Sequence, residues 1–150
     1  MSTIILIFIA LFILSGIIYV VNENSLVSQL KKEGGFKEKY STLIDCFTKD
    51  LRAKLNGISD INAVFSLKID EESAINRYGD IVLYESMNIE ISHTSNGIKI
   101  TTVIVGIKSS NNKVFTRVYN SNDDQNNIYE SYMNNLNSFI EKNIYKKREV

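Results

Sequence analysis

The fold is decided by residues 86–105, which read Ser86-Met-Asn-Ile-Glu-Ile-Ser-His-Thr-Ser-Asn-Gly-Ile-Lys-Ile-Thr-Thr-Val-Ile-Val105. Apolar and polar residues alternate from Met87 to Ser92, which is the pattern of a half-buried strand. Asn96-Gly97 is the favoured pair for a two-residue type I′ turn. Residues 81–94 and 98–108 are therefore predicted to pair as an antiparallel hairpin.

Two further strands lie on either side of this hairpin in the sequence. Residues 61–69 form a short β-type segment, and residues 113–119 follow a second predicted turn. The apolar parity changes at Thr101-Thr102, which predicts a bulge at that point. Together the four segments predict an antiparallel meander.

Two helices enclose the predicted sheet in the sequence. Apolar residues recur at i, i+3 and i+4 from Phe36 to Leu55, and Asn56-Gly57 is expected to stop this helix. Residues 120–124 end in N-cap candidates for a second helix that reaches about Tyr145. The α-β-β-β-β-α order predicts an α+β domain, with both helices on one face of a four-stranded sheet.

The first 21 residues contain an uncharged apolar run. At ~1.5 Å per residue, a helix over residues 3–21 is roughly 28 Å long, close to the hydrocarbon thickness of a bilayer. Residues 1–21 are therefore predicted to be a single-pass transmembrane anchor helix, with the lipid bilayer as its partner through residues 3–21. The side chains expected to contact lipid are Ile4, Leu6, Phe8, Leu11, Phe12, Ile17 and Tyr19.

A cleaved signal peptide and a buried core helix are the alternatives for this run. A signal peptide needs basic residues before the run and a small-residue cleavage site after it, and the sequence has neither. Residues 22–35 are predicted to be a connector that Gly34-Gly35 breaks, and residues 36–147 the α+β domain. We expect the protein in a bacterial inner or plasma membrane. Lysines follow the run and none precedes it, which favours the cytoplasmic rather than the external side for the domain.

The order of an apolar helix and an antiparallel meander resembles that of type IV pilins and pseudopilins. Those proteins carry a glutamate near the start of the mature helix and one long continuous helix. Here no acid interrupts the apolar run, and Gly34-Gly35 separates the N-terminal helical region from the predicted domain. The resemblance is therefore one of shape and implies no function.

Charge and cysteine content exclude several classes of site. The chain has 17 Lys and Arg against 17 Asp and Glu, so no basic excess favours nucleic acid. Cys46 is the single cysteine, which excludes a zinc site built on cysteines. No phosphate-binding loop or calcium loop is present. We therefore expect no cofactor, no metal and no nucleic-acid partner.

Two residues that often carry chemistry occur once each. His93 stands near the end of a predicted strand, and no motif ties it to a nucleophile, so we interpret it as an exposed or half-exposed strand-end residue. Cys46 lies on the flank of the first domain helix beside Asp45, a setting that does not favour a reactive thiolate. We interpret it as a partly exposed, inert residue.

The charge pattern supports three hypotheses of function. Acids outnumber bases between residues 60 and 90, whereas residues 99–117 carry only bases. The leading hypothesis is a non-enzymatic, membrane-anchored domain that docks a protein partner through Asp80, Glu85, Glu90, Lys99, Lys108 and Arg117. The second is a carrier or sensor with an apolar cleft between helices and sheet. The third is a hydrolase, which requires at least two of Asp80, Glu85 and Glu90 to converge in a cleft.

Overall fold

One long helix precedes a sheet and a final helix in a computed structural model that describes residues 3–68, 84–106 and 112–143. The helices are α1 (Thr3–Lys32), α2 (Phe36–Lys39), α3 (Ser41–Asp45) and α4 (Gln125–Asn143), and a π-helical turn covers Cys46–Asp50. The strands are β1 (Lys54–Ile58), β2 (Asn62–Lys68), β3 (Tyr84–Thr94), β4 (Gly97–Gly106) and β5 (Lys113–Tyr119). The predicted α+β class is confirmed. The predicted turn at 109–112 and the end of the last helix at Tyr145 extend outside the described residues.

The described strands form one antiparallel sheet in the order β1-β2-β3-β4-β5. The predicted meander is thus confirmed. The prediction of four strands is wrong, because the helical spacing of apolar residues from Phe36 to Leu55 assigned the start of β1 to the end of a helix. Leu51 and Leu55 continue that spacing, yet Arg52 adopts a φ of 55° and turns the chain out of the helix. Residues 54–58 pair instead with β2, from Lys54 opposite Ser66 to Ile58 opposite Ala63.

The predicted helix over 36–55 is likewise broken into α2, α3 and the π-helical turn. Its first break, at Tyr40, is supported from α4 by the side chain of Gln125. The Gln125 amide nitrogen donates to the Lys39 carbonyl at 2.6 Å, and its amide oxygen accepts from the Leu43 N–H at 2.9 Å. A long-range partner of this kind leaves no trace in local periodicity, which explains the error.

The β3–β4 hairpin is present, but its turn lies one residue earlier than predicted. Thr94 pairs with Gly97, and Ser95 and Asn96 form the turn. Neither turn residue has the positive φ that a type I′ turn requires, whereas Gly97 has a φ of 119°. A side chain at Gly97 would also overlap the carbonyl oxygen of Tyr119 on the neighbouring strand, so glycine is required here.

The bulge predicted at Thr101-Thr102 is wrong, because the β3–β4 pairing is regular from Ser86 to Thr94. Thr102 occupies an inward position that an apolar residue would normally fill, and it is fully buried. Its hydroxyl forms a hydrogen bond with the phenol of Tyr132 on α4. The apparent change of parity therefore reflects one satisfied polar residue in the core together with two valines, Val103 and Val105, half-buried on the opposite face.

The core lies between one face of the sheet and a layer made of α2, α3, the π-helical turn and α4. Phe47 stands at its centre, and its ring centroid lies 5.5 Å from that of Phe65, 5.2 Å from that of Tyr129 and 5.4 Å from that of Tyr132.

The helix α4 begins at an N-cap as predicted, since the Asp124 carboxylate accepts the N–H groups of residues 126 and 127. The opposite face of the sheet, here called the outer face, carries no helix among the described residues.

Helix α1 continues well past the predicted end of the anchor. It ends at Lys32 in a Schellman motif, in which the Gly35 N–H donates to the Leu30 carbonyl at 2.8 Å and the Gly34 N–H to the Lys31 carbonyl at 3.3 Å. Both glycines have a φ of 89°, so the predicted break at Gly34-Gly35 is confirmed. Leu30 is 1% exposed and belongs to the domain core.

We predict that Thr102→Val lowers the free energy of unfolding by about 1–3 kcal/mol, because it leaves the buried Tyr132 hydroxyl unpaired. Thr101→Val is the matched control: Thr101 is half-buried on the outer face and should change stability by less than about 0.5 kcal/mol. The double variant Thr102→Val/Tyr132→Phe should recover most of the loss. Urea unfolding followed by tyrosine fluorescence measures all four proteins, and equal losses for both threonine variants would contradict the assignment.

Candidate functional site

The surface of α1 is the most apolar exposed surface in the described chain. Every large apolar side chain described between Ile7 and Val21 is more than half exposed, up to 81% for Phe12. By length and composition, Ile7–Lys32 is a helix that could cross a membrane, with a mean hydropathy of 1.8. The predicted lipid-facing residues Phe8, Leu11, Phe12, Ile17 and Tyr19 all belong to this exposed set, and Ile4 and Leu6 lie in the same helix.

The predicted docking residues that the structure describes do not all lie on one face of the sheet. Glu90 and Lys99 lie on the outer face of neighbouring strands, since Glu90 pairs with Thr101 and Lys99 pairs with Ser92, two ladder positions further along. Arg117 lies on the other face of β5, where its guanidinium carbon is 4.9 Å from the ring centroid of Phe115. Of the other predicted docking residues, Glu85 is exposed on β3, while Asp80 and Lys108 lie outside the described residues.

The carboxylates required by the hydrolase hypothesis are on open strand surface where they are described. Glu85 and Glu90 are both exposed. Glu90 accepts hydrogen bonds from the Asn62 amide at 3.1 Å and the Ser92 hydroxyl at 2.9 Å. Within residues 3–68, 84–106 and 112–143 no group of three or more acidic, histidine or cysteine side chains is arranged to hold a metal ion.

A cleft of about 440 Å³ lies between the last turns of α1 and the turn of the β3–β4 hairpin. We call it the polar cleft. Its lining comprises Asn22, Ser25, Leu26, Gln29 and Glu33 from the end of α1, Lys39 from α2, His93, Thr94, Ser95 and Gly97 from the hairpin, and Ser121 and Asn122 from the loop before α4. The cleft differs from the one expected of a carrier, because the space between helices and sheet is filled by the aromatic cluster around Phe47.

His93, which lines the polar cleft, forms a buried pair with Tyr40, whose hydroxyl lies 2.6 Å from His93 Nδ1. His93 is 8% exposed, so the expectation of an exposed strand-end residue is wrong. Its position follows the inward alternation of Met87, Ile89 and Ile91, a signal that could have placed it correctly. No other atom of the described residues is in hydrogen-bonding geometry with Nε2, so one ring nitrogen remains for a ligand or water.

The surroundings of His93 favour its neutral form by lowering its pKa. Burial lowers the pKa of His93, the Lys39 ammonium lowers it further, and the Glu33 carboxylate opposes this by raising it. Burial likewise raises the pKa of the Tyr40 phenol, with a further contribution from Glu33. Lys39 Nζ lies 2.5 Å from the Glu33 carboxylate, and the Lys39 side chain is only 17% exposed. The two charges therefore neutralise each other at the edge of the cleft.

Cys46 lies at the start of the π-helical turn and is half-buried, which confirms the predicted flank position. Burial raises the pKa of its thiol, and the nearby Asp50 and Asp45 carboxylates raise it further. Its sulfur is 3.7 Å from the side-chain oxygen of Asn126. A raised pKa disfavours the thiolate, so this environment does not activate the cysteine.

We predict that His93 titrates below the ordinary value of about 6.5. The unfolded chain then binds a proton at a higher pH than the folded chain does. The contribution of His93 to stability is therefore fully present above pH ~6.5 and is lost as the pH falls towards the folded pKa. His93 is the only histidine, so NMR titration of its imidazole measures this directly.

The neighbouring charges provide controls of opposite sign for this titration. Lys39→Met should raise the midpoint, since it removes a cation, and Glu33→Gln should lower it, since it removes an anion. A wild-type midpoint at or above ~6.5 that neither variant moves would show that the imidazole is solvated rather than enclosed.

Comparisons of the chain with protein-family models, with curated proteins and with solved structures give no match. The function is therefore inferred from the geometry and chemistry of the chain itself.

Proposed function

We propose that the protein is a single-pass membrane protein that holds a small, non-enzymatic α+β domain at the bilayer surface for a protein partner. The observation that carries this proposal is the exposed apolar surface of α1. Fully burying one large apolar side chain contributes about 1.5–3 kcal/mol, so a whole helix of them is strongly unfavourable in water. Some environment must cover this surface.

A bilayer suits this surface better than a protein groove does. A groove covers one stripe of a helix, as for an amphipathic helix with a polar opposite side. On α1 the consecutive residues Ile17, Ile18, Tyr19, Val20 and Val21 are all apolar or aromatic and all more than half exposed, so apolar surface surrounds the helix. A helix that is apolar on every side requires cover on every side, which lipid provides.

The outer face of the sheet is the surface that we assign to the partner. The described helices leave it open, and Val64, Val114 and Val118 are exposed on it. Glu90 and Lys99 lie on the same face and give it charges of both signs that can orient a partner. The cytoplasmic side is favoured for the domain by Lys31 and Lys32 in the last turn of α1.

The anchor is tested by placing charge at the centre of the apolar run. We expect Ile9→Lys/Phe12→Lys to move the protein out of the membrane fraction, because a lysine at the centre of a span costs about 2.5–3.5 kcal/mol. Ile9→Leu/Phe12→Leu is the matched control and should stay in membranes after alkaline carbonate washing. Release of the unmodified protein by carbonate would show that α1 does not span the bilayer.

The partner surface is tested by site-specific photo-crosslinking in intact membranes. A photoreactive residue at Thr116, which is exposed on the outer face, should give one reproducible protein adduct. The same residue at Asn134, which is exposed on α4, serves as the control and should give none. Equal adduct patterns from both positions, or no adduct from Thr116, would refute the assignment of the outer face.

A further inference from the structure

The polar cleft collects side chains whose hydrogen-bonding groups are free among the described residues. Six amide and hydroxyl side chains line it and make no side-chain hydrogen bond there: Asn22, Ser25, Gln29, Ser95, Ser121 and Asn122. Some exposed residues of the same types elsewhere bond within their own helix. On α4, Asn135, Ser138 and Asn143 each bond a carbonyl one turn back, and Ser15 bonds the Phe12 carbonyl in α1. The cleft residues remain available to an occupant.

The chemistry of these groups restricts the class of occupant. Amides and hydroxyls both donate and accept hydrogen bonds, so they complement groups that also do both. Phosphates and carboxylates only accept, and an ammonium only donates. The Glu33–Lys39 ion pair leaves no unpaired charge in the described lining for an anion or a cation. Neutral hydroxyl groups, such as those of a sugar ring, match this lining.

The position of the polar cleft suggests where such a group comes from, and this step rests on the proposed membrane anchor. Asn22 directly follows the apolar run that ends at Val21, and Gln29 lies about 10 Å further along the helix. The headgroup layer on each side of a bilayer is roughly 5–8 Å thick. The α1 wall of the cleft therefore begins within the layer of lipid headgroups.

We infer that the polar cleft binds a neutral glycosyl group, presented by the bilayer as the headgroup of a glycolipid. Its volume of about 440 Å³ falls in the range of ~300–1,000 Å³ typical of small-molecule sites. Leu26 supplies apolar surface for the C–H face of the ring. His93, which also lines the cleft, adds one more hydrogen-bonding side chain.

The test uses the full chain in lipid nanodiscs that contain phosphatidylcholine with equal shares of monogalactosyl diacylglycerol, phosphatidylethanolamine and phosphatidylglycerol. Native mass spectrometry identifies the lipid that stays bound on release from the disc. We expect the galactolipid to be enriched about threefold or more over its share, equivalent to at least ~0.6 kcal/mol of preference. Enrichment of either phospholipid, or of no lipid, would overturn the inference.

The cleft itself is tested with two tryptophan variants on the same helix. Ser25→Trp places an indole in the cleft, and Ser28→Trp places one on an exposed site of α1 that does not line the cleft. Enrichment should be lost in the first variant and kept in the second. Gln29→Ala/Asn122→Ala removes hydrogen-bonding groups without adding bulk, and it should also abolish enrichment. This variant replaces Ser25→Trp as the test if the tryptophan variant does not fold. Enrichment that survives these cleft variants would refute the location.

Competition with methyl β-galactoside separates the two sources of the glycosyl group. Displacement of bound galactolipid by the glycoside supports a headgroup site, whereas glycoside binding without galactolipid enrichment assigns the same chemistry to a soluble sugar. Incorporation into the discs is measured separately. A chain that does not incorporate refutes the proposed anchor, while a chain that incorporates but shows neither lipid selection nor glycoside binding refutes only the glycosyl site.

Discussion

The junction between α1 and the domain is the constraint on which the rest of the structure depends. Leu30 is buried in the core while its carbonyl accepts the final hydrogen bond of the Schellman motif, so the last turn of the helix is part of the domain. The Glu33–Lys39 ion pair holds the same corner from outside. This arrangement brings the helix beside the β3–β4 turn and thereby creates the polar cleft.

Local sequence signals predicted the class, the meander and both strands of the central hairpin. They failed where a distant partner decided the outcome. Leu55 fits a helical stripe equally well, but it belongs to β1 because the chain turns at Arg52 and a β2 edge is available for pairing. A bulge was predicted at Thr102 because a polar residue is unexpected at an inward position. Its hydroxyl is satisfied there by Tyr132, which lies 30 positions away in the sequence.

The candidate site was less accessible to sequence reasoning than the fold. The alternation through Ile89 and Ile91 could have placed His93 inward, but its partner Tyr40 is 53 positions away. The polar cleft could not be predicted at all, since it combines α1, the hairpin turn and the loop before α4 through packing at Leu30. Its individual residues are common polar types at ordinary spacings. Their significance lies in their convergence.

The continuity of α1 from Thr3 to Lys32 also has a mechanical consequence. A helix without an internal break, fixed to the domain at Leu30, acts as a lever arm about 45 Å long. Transmembrane helices change tilt when the hydrophobic thickness of the surrounding bilayer changes. In a membrane, each change in tilt would therefore reorient the whole domain, so that its inclination relative to the bilayer reports the thickness of the lipid around it.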